Sequence, residues 1–245
     1  VFYRGNWNNQ IFTQCMGVVG SRHMTDYGQR VIDKLVPQLV LEGWTIVSGF
    51  MYGVDVAAHQ ACVDAGGQTI AVLGWGINYP VDDDQAKLLH RILDTNGLIL
   101  SLWDHQAGTN WTFPARNKVV AEICRELIVI EAAQKSGALL TAAMVRNLHK
   151  KVWAVPGPIT SSVSAGTNKL IAQGQAISWL GDSFQLPLPQ THSSHPILSL
   201  LLNDQLEAGA IARKLNQPMD QIASQLTLLT LQGNIIEKNV KYYAS

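Results

Sequence analysis

GWTIVSGFMYGVDVAAH, residues 43 to 59, reads as three pieces in a row. Trp44 to Ser48 is a nearly continuous apolar, β-branched run, the pattern of a strand covered on both faces. Gly49 and Gly53 then bracket Phe50, Met51 and Tyr52, and a helical pattern follows at once. Glycines between a strand and a helix let backbone N–H groups converge on a close neighbour, and a phosphate is a frequent one. The phosphate in question belongs to a dinucleotide, a sugar phosphate or a nucleic-acid backbone.

The same unit recurs along the chain. Apolar runs at 15–20, 44–49, 69–74, 98–103, 127–132, 152–157 and 176–180 alternate with helical patterns near 26–42, 54–65, 84–94, 115–124, 138–149 and 167–173. That alternation predicts an α/β fold with an open, mostly parallel, Rossmann-like sheet. Ligands on such sheets bind outside the carboxyl ends of the strands. Several of these ends carry Gly or Ser, at 20–22, 48–49, 74–76 and 155–158, and are expected on one rim.

After Asp182 the composition changes. FQLPLPQTHSSHP is rich in proline and polar residues and reads as a linker. We therefore expect a Rossmann-like domain over 1–182, a linker over 183–194 and a small domain over 195–245. Three short helical patterns and a closing hairpin make the last a winged-helix-like module. From 191 onward it has four basic residues (Arg213, Lys214, Lys238, Lys241) and four acidic ones (Asp204, Glu207, Asp220, Glu237), and its reading-helix candidate, Met219 to Leu231, has no Lys or Arg. We expect protein contact or regulation from it rather than phosphate binding.

The 245 residues carry 18 Lys and Arg against 18 Asp and Glu, so polyanion binding must come from a local patch. No apolar run is long enough to span a bilayer. The chain opens VFYRGN, without an initiator Met or an apolar signal segment, so residues upstream of it are expected. Cys15, Cys62 and Cys124 sit far apart in apolar segments, as buried reduced thiols of a cytoplasmic protein do. His192 and His195 flank two serines in the linker and read as solvated; no metal site and no cofactor is expected.

Four rim segments carry chemistry. GVVGSRHMTDYG, 17–28, lacks G-x-G-x-x-G, and no acidic residue ends the second strand, so a dinucleotide is disfavoured. No G-K-[ST] occurs. In SGALLTA, 136–142, Ser136 is a good N-cap, Gly137 allows close approach, and Lys135 adds charge to a helix N-terminus. In NWTFPARNK, 110–118, Pro114 suits a first helical turn with Thr112 as cap. Trp111 and Phe113 there lie beside Arg116, Asn117 and Lys118, aromatics next to a basic pair, as stacking plus phosphate neutralisation requires. In SAGTNKLIAQGQ, 164–175, Lys169 is expected to reach the same rim. Catalytic groups are sparse. Asp55 suits a helix start, Glu131 suits tying down a neighbouring loop, and an i,i+4 contact with Asp55 accounts for His59.

Taken in order, VGSR, SGFMYGVDVAAH, GQTIAVLGWG, Tyr79–Pro80, FPARNK, VIEAAQKSGALLTA and VPGP with GTNKLI resemble the DNA-processing protein A (DprA/Smf) family over about residues 15 to 180. The resemblance implies an extended Rossmann fold that binds single-stranded DNA, protects incoming strands in natural transformation and helps load the RecA recombinase. It implies a homodimer and no catalysed reaction. The site implied comprises Gly20, Ser21, Arg22, Ser48, Gly49, Tyr52, Gly53, Phe113, Arg116, Asn117, Lys118, Ser136, Gly137 and Lys169. Lys118 stands where the family pattern has Arg, Met51-Tyr52-Gly53 where it has Ala-Arg-Gly, and Glu122 adds a negative charge near Arg116 and Lys118. One rival reading is a phosphoribohydrolase-like enzyme holding a nucleoside monophosphate on the same rim. The other is a duplex-specific regulator built on the winged helix.

Overall fold

A computed structural model describes residues 1–181, 196–201, 206–231, 235–238 and 241–244. The chain divides into two compact units, Val1–Asp182 and Ser183–Ser245. The linker expected over 183–194, with His192, lies outside the described residues, as does His195.

The first unit follows the alternation read from the sequence. Its strands are β1 (Phe2–Gly5), β2 (Cys15–Val19), β3 (Thr45–Ser48), β4 (Thr69–Leu73), β5 (Leu98–Ser101), β6 (Glu126–Val129), β7 (Lys151–Ala154) and β8 (Ile177–Ser178). Its α-helices are α1 (Asp26–Leu41), α2 (Val54–Asp64), α3 (Asp83–Asp94), α4 (Thr112–Ile123), α5 (Gly137–Asn147) and α6 (Ala165–Ala172). The sheet order is β1-β5-β4-β3-β2-β6-β7-β8. Every pairing is parallel except β1 with β5.

Alternation along the strands feeds two cores. Ile70, Val72, Leu98 and Leu100 pack with Val120 and Ala121 of α4 and Ala142 and Val145 of α5. Ala71, Leu73 and Ile99 face the other way, onto Val63 of α2 and Leu88, Leu89 and Ile92 of α3. A sheet buried on both faces has no room for polar alternation, which is why its strands read as continuous apolar runs.

Cys15, Cys62 and Cys124 are free and buried. Burial pushes the thiols of Cys15 and Cys62 up to about 12 and that of Cys124 up to about 11, so none is a ready nucleophile. Among the described residues no helix is long and apolar enough to cross a membrane.

The second unit contains α7 (Pro196–Leu201), β9 (Leu206–Glu207), α8 (Ala208–Leu215), α9 (Met219–Leu231), β10 (Ile235–Lys238) and β11 (Lys241–Ala244). The hairpin of β10 and β11 is extended by β9 into a three-stranded antiparallel sheet. Ile197, Leu201, Ile211, Ile222, Leu226, Leu229 and Ile235 form its own core.

Candidate functional site

The strand order reverses at β2, which pairs with β3 on one side and β6 on the other. The loops leaving β2 and β6 therefore diverge, and a crevice opens at their carboxyl ends. A cleft of about 480 Å³ lies there. Its walls are Val19 to Arg22 after β2, Gly49, Met51 and Asp55 after β3, and Ala133 and Lys135 to Ala138 at the start of α5, with Leu140 and Thr141 one turn on. Asn110, Phe113, Pro114, Arg116, Asn117 and Val120, at and before α4, close it. The N-termini of α4 and α5 thus both meet the cleft.

Local sequence explains each wall. Ser136 caps α5, its Oγ accepting from Ala138 N at 3.3 Å. A β-carbon on Gly137 would meet nothing within 4 Å, so this helix start stays open to the cleft. The remaining glycines behave differently. A β-carbon on Gly49 would collide with the Arg116 guanidinium and the Asp55 carboxylate, and one on Gly53 with the carbonyls of Ser21 and Arg22. Gly53 has φ 76°, and Val54 N beside it donates to Ser21 O at 3.1 Å. These two glycines make room for the protein's own atoms rather than for a phosphate. Gly20 is likewise packed, against Val54 and Glu131 O.

Arg116 is buried. Its Nη1 donates to the carbonyls of Gly49 and, at 2.8 Å, of Val72, while Nε donates to Asn117 Oδ1 at 3.0 Å. Burial brings its pKa down to about 10, and Asp55 opposes that shift, so the guanidinium stays charged at neutral pH. Burial raises the pKa of Asp55; Arg116 and the Met51 N–H, 3.3 Å from Oδ2, pull the other way. Arg116 is therefore a rivet between strand ends. Arg22 is exposed, with its guanidinium carbon 5.2 Å from the centroid of the Phe113 ring. Lys135 is also exposed. These two cations supply the cleft's open positive charge.

Of the residues expected at the site, the structure brings together Gly20, Ser21, Arg22, Gly49, Phe113, Arg116, Asn117, Ser136 and Gly137. Five stand outside the cleft wall. Ser48 is fully buried and its hydroxyl donates to Val18 O at 2.6 Å. Gly53 sits behind the Ser21–Arg22 loop. Tyr52 is exposed, its hydroxyl reaching Asp82 at 3.4 Å. Lys118 pairs with Glu122 at 3.8 Å, one turn along α4 and pointing outward. Lys169 is exposed on α6. The GTN segment serves packing: Gly166 N donates to Ala132 O at 2.8 Å, and the Asn168 side chain makes two bonds to the Gly157 backbone.

Other expectations find their places. Glu131 accepts from Thr25 N at 2.9 Å and Thr25 Oγ1 at 2.5 Å, so it anchors the start of α1 as a loop tie should. Thr112 is the first residue of α4 rather than its cap, its hydroxyl bonded to Thr109. His59 does not contact Asp55. Its Nδ1 lies 2.7 Å from Thr69 Oγ1, because the ring turns into the core beside Phe50. Among the described residues no His, Cys, Asp and Glu group has a metal-binding arrangement. Among the described residues Asp55 is the one carboxylate lining the cleft, and the phosphoribohydrolase reading calls for a glutamate there.

A doubly wound α/β domain whose switch-point cleft is rimmed by two helix N-termini and two open cations has the charge pattern that favours an anion. Residues 1–184 match the family model described as DNA recombination-mediator protein A, and the chain belongs to that family. The chain is 37% identical over 177 residues to the DNA processing protein DprA of Streptococcus pneumoniae, covering 71% of this chain and 61% of that protein. It is 32% identical over 241 residues to protein Smf of Escherichia coli, covering 89% and 64%. Across the curated relatives it spans 41% to 64% of their length. The crystal structure of the S. pneumoniae protein aligns with a TM-score of 0.66 at 35% identity, over 73% of this chain and 62% of that one. A DNA processing protein A from Helicobacter pylori, whose structure concerns its single-stranded DNA binding mode, aligns with a TM-score of 0.64 at 27% identity, over 72% and 80%.

Proposed function

We propose that the cleft grips the backbone of single-stranded DNA and that the protein works without catalysing a reaction. The observation that carries this is the meeting of Arg22, Lys135 and the N-termini of α4 and α5 on one rim of a protein with no net charge. Amides and cations neutralise phosphates, while Phe113 offers a face that any base can use. The H. pylori relative's binding mode supports the choice of ligand. At the level of the whole protein, we infer a cytoplasmic homodimer that shields strands in transformation and hands them to the RecA recombinase. The second unit is read as a winged-helix-like module making protein contacts, since the described part of α9 has no basic residue.

The test is fluorescence anisotropy with a labelled oligo-dT and a duplex of equal length across a salt series. Preferential single-strand binding with a salt slope of only a few phosphates is expected from a local cation pair. Equal or stronger duplex binding would overturn the reading.

A further inference from the structure

Trp111 stands at the entrance to α4 with 57% of its surface exposed. The indole is the largest flat apolar face a side chain offers, with an N–H at its rim. It is also held in place. Trp103, from the loop after β5, meets it edge-on, with ring centroids 5.4 Å apart and planes at 89°. A perpendicular contact involves the edge of one ring, so it restrains Trp111 without stacking over it, and 57% of Trp111 stays open. The neighbours on either side of Trp111 place it relative to the cleft: Asn110 lines the wall, Thr112 is buried, and Phe113 lines the wall again under the Arg22 guanidinium. The turn thus presents two aromatic rings, one inside the cleft and one on its lip.

We propose that Trp111, buttressed by Trp103, is a stacking platform for a nucleobase of the strand whose phosphates occupy the cleft. This rests on the single-strand reading above. It adds a binding residue outside the cleft wall and a direction in which the strand leaves. An aromatic face reads no sequence, so the platform takes any base and requires it unpaired.

The experiment compares the full chain with its Trp111→Ala and Trp111→Phe variants, binding oligo-dT and an abasic oligomer of the same length. Stacking on one ring is worth about 1–3 kcal/mol, or roughly 5- to 150-fold in affinity. Trp111→Ala is expected to lose that factor on oligo-dT, Trp111→Phe to keep most of it, and the salt slope to stay unchanged. Neither variant should alter binding of the abasic oligomer, which has no base to stack. Unchanged oligo-dT affinity in Trp111→Ala, or an equal loss on the abasic oligomer, would overturn the platform while leaving the cleft reading intact. If the parent chain binds neither oligomer, the cleft reading fails first and the platform falls with it.

Discussion

At the scale of single residues, two arginines at the same cleft, Arg22 and Arg116, illustrate how position decides function. Arg22 is exposed and rests on Phe113, whereas Arg116 is buried with its donors turned to backbone carbonyls. Arg22→Ala should therefore weaken single-strand binding on every sequence and lower the salt slope by about one contact, read from the same anisotropy series. Lys169→Ala, on α6 outside the cleft wall, should leave both unchanged. His59 gives a different prediction. Its Nδ1 faces a Thr69 hydroxyl that donates to Ile46 O at 2.8 Å, so Nδ1 carries the ring proton, and burial lowers its pKa to about 3. Below about pH 6.5 the unfolded chain takes up a proton that the folded chain refuses until about pH 3. Stability should then fall with falling pH across that window, by about 1.4 kcal/mol per pH unit from this group. The raised pKa of Asp55 works in the opposite sense at the acid end. Urea denaturation at pH 7.0 and 5.5 checks this: His59→Asn, which keeps a donor for Thr69 but cannot titrate, should show the smaller loss.

At the scale of elements, the legible and the hidden differ for physical reasons. The central parallel strands are readable because both faces are covered and most of their residues are apolar. β1 was not, because it pairs antiparallel at the sheet edge and all four of its residues are exposed. β9 is two residues long and leaves no pattern at all. The apolar pattern puts the start of α4 near residue 115, yet the helix begins at Thr112, whose hydroxyl bonds back to Thr109. Within the site, the motifs point to the right segments but not to every wall residue: Asn110, Met51, Leu140 and Thr141 lie on the quoted motifs without being singled out, while Ser48, Tyr52, Gly53, Lys118 and Lys169 stand outside the wall. Leu140 and Thr141 carried a usable signal, since they lie about one turn beyond Ser136 and Gly137 on the same helix. Met51 and Asn110 carried none. The far end of α4 also shows an element held by one side chain. Lys150 Nζ donates to the carbonyls of Ala121, Glu122 and Cys124 at 2.8, 2.6 and 2.7 Å, satisfying groups that a helix end leaves open. Lys150→Met should cost about 1–3 kcal/mol of stability, measured as a lower urea midpoint with an unchanged slope.

At the scale of the whole molecule, the proposed grip on DNA belongs to the first unit. All cleft residues fall within Val1–Asp182, and the second unit has its own core. A chain ending at residue 182 should keep single-strand affinity within about twofold of the full chain by anisotropy, a difference of about 0.4 kcal/mol. A tenfold loss would assign part of the grip to the second unit and favour the regulator built on it.

The Arg116 rivet reaches further than the cleft. It joins the ends of β3 and β4, through Gly49 O and Val72 O, to the second turn of α4. When that guanidinium lets go, the ties from both strand ends to the helix wall are lost with it. Amide protons in the first turns of α4 and in the Gly49–Gly53 loop should accordingly exchange with solvent at a common opening rate, and a bound strand should slow all of them by the same factor.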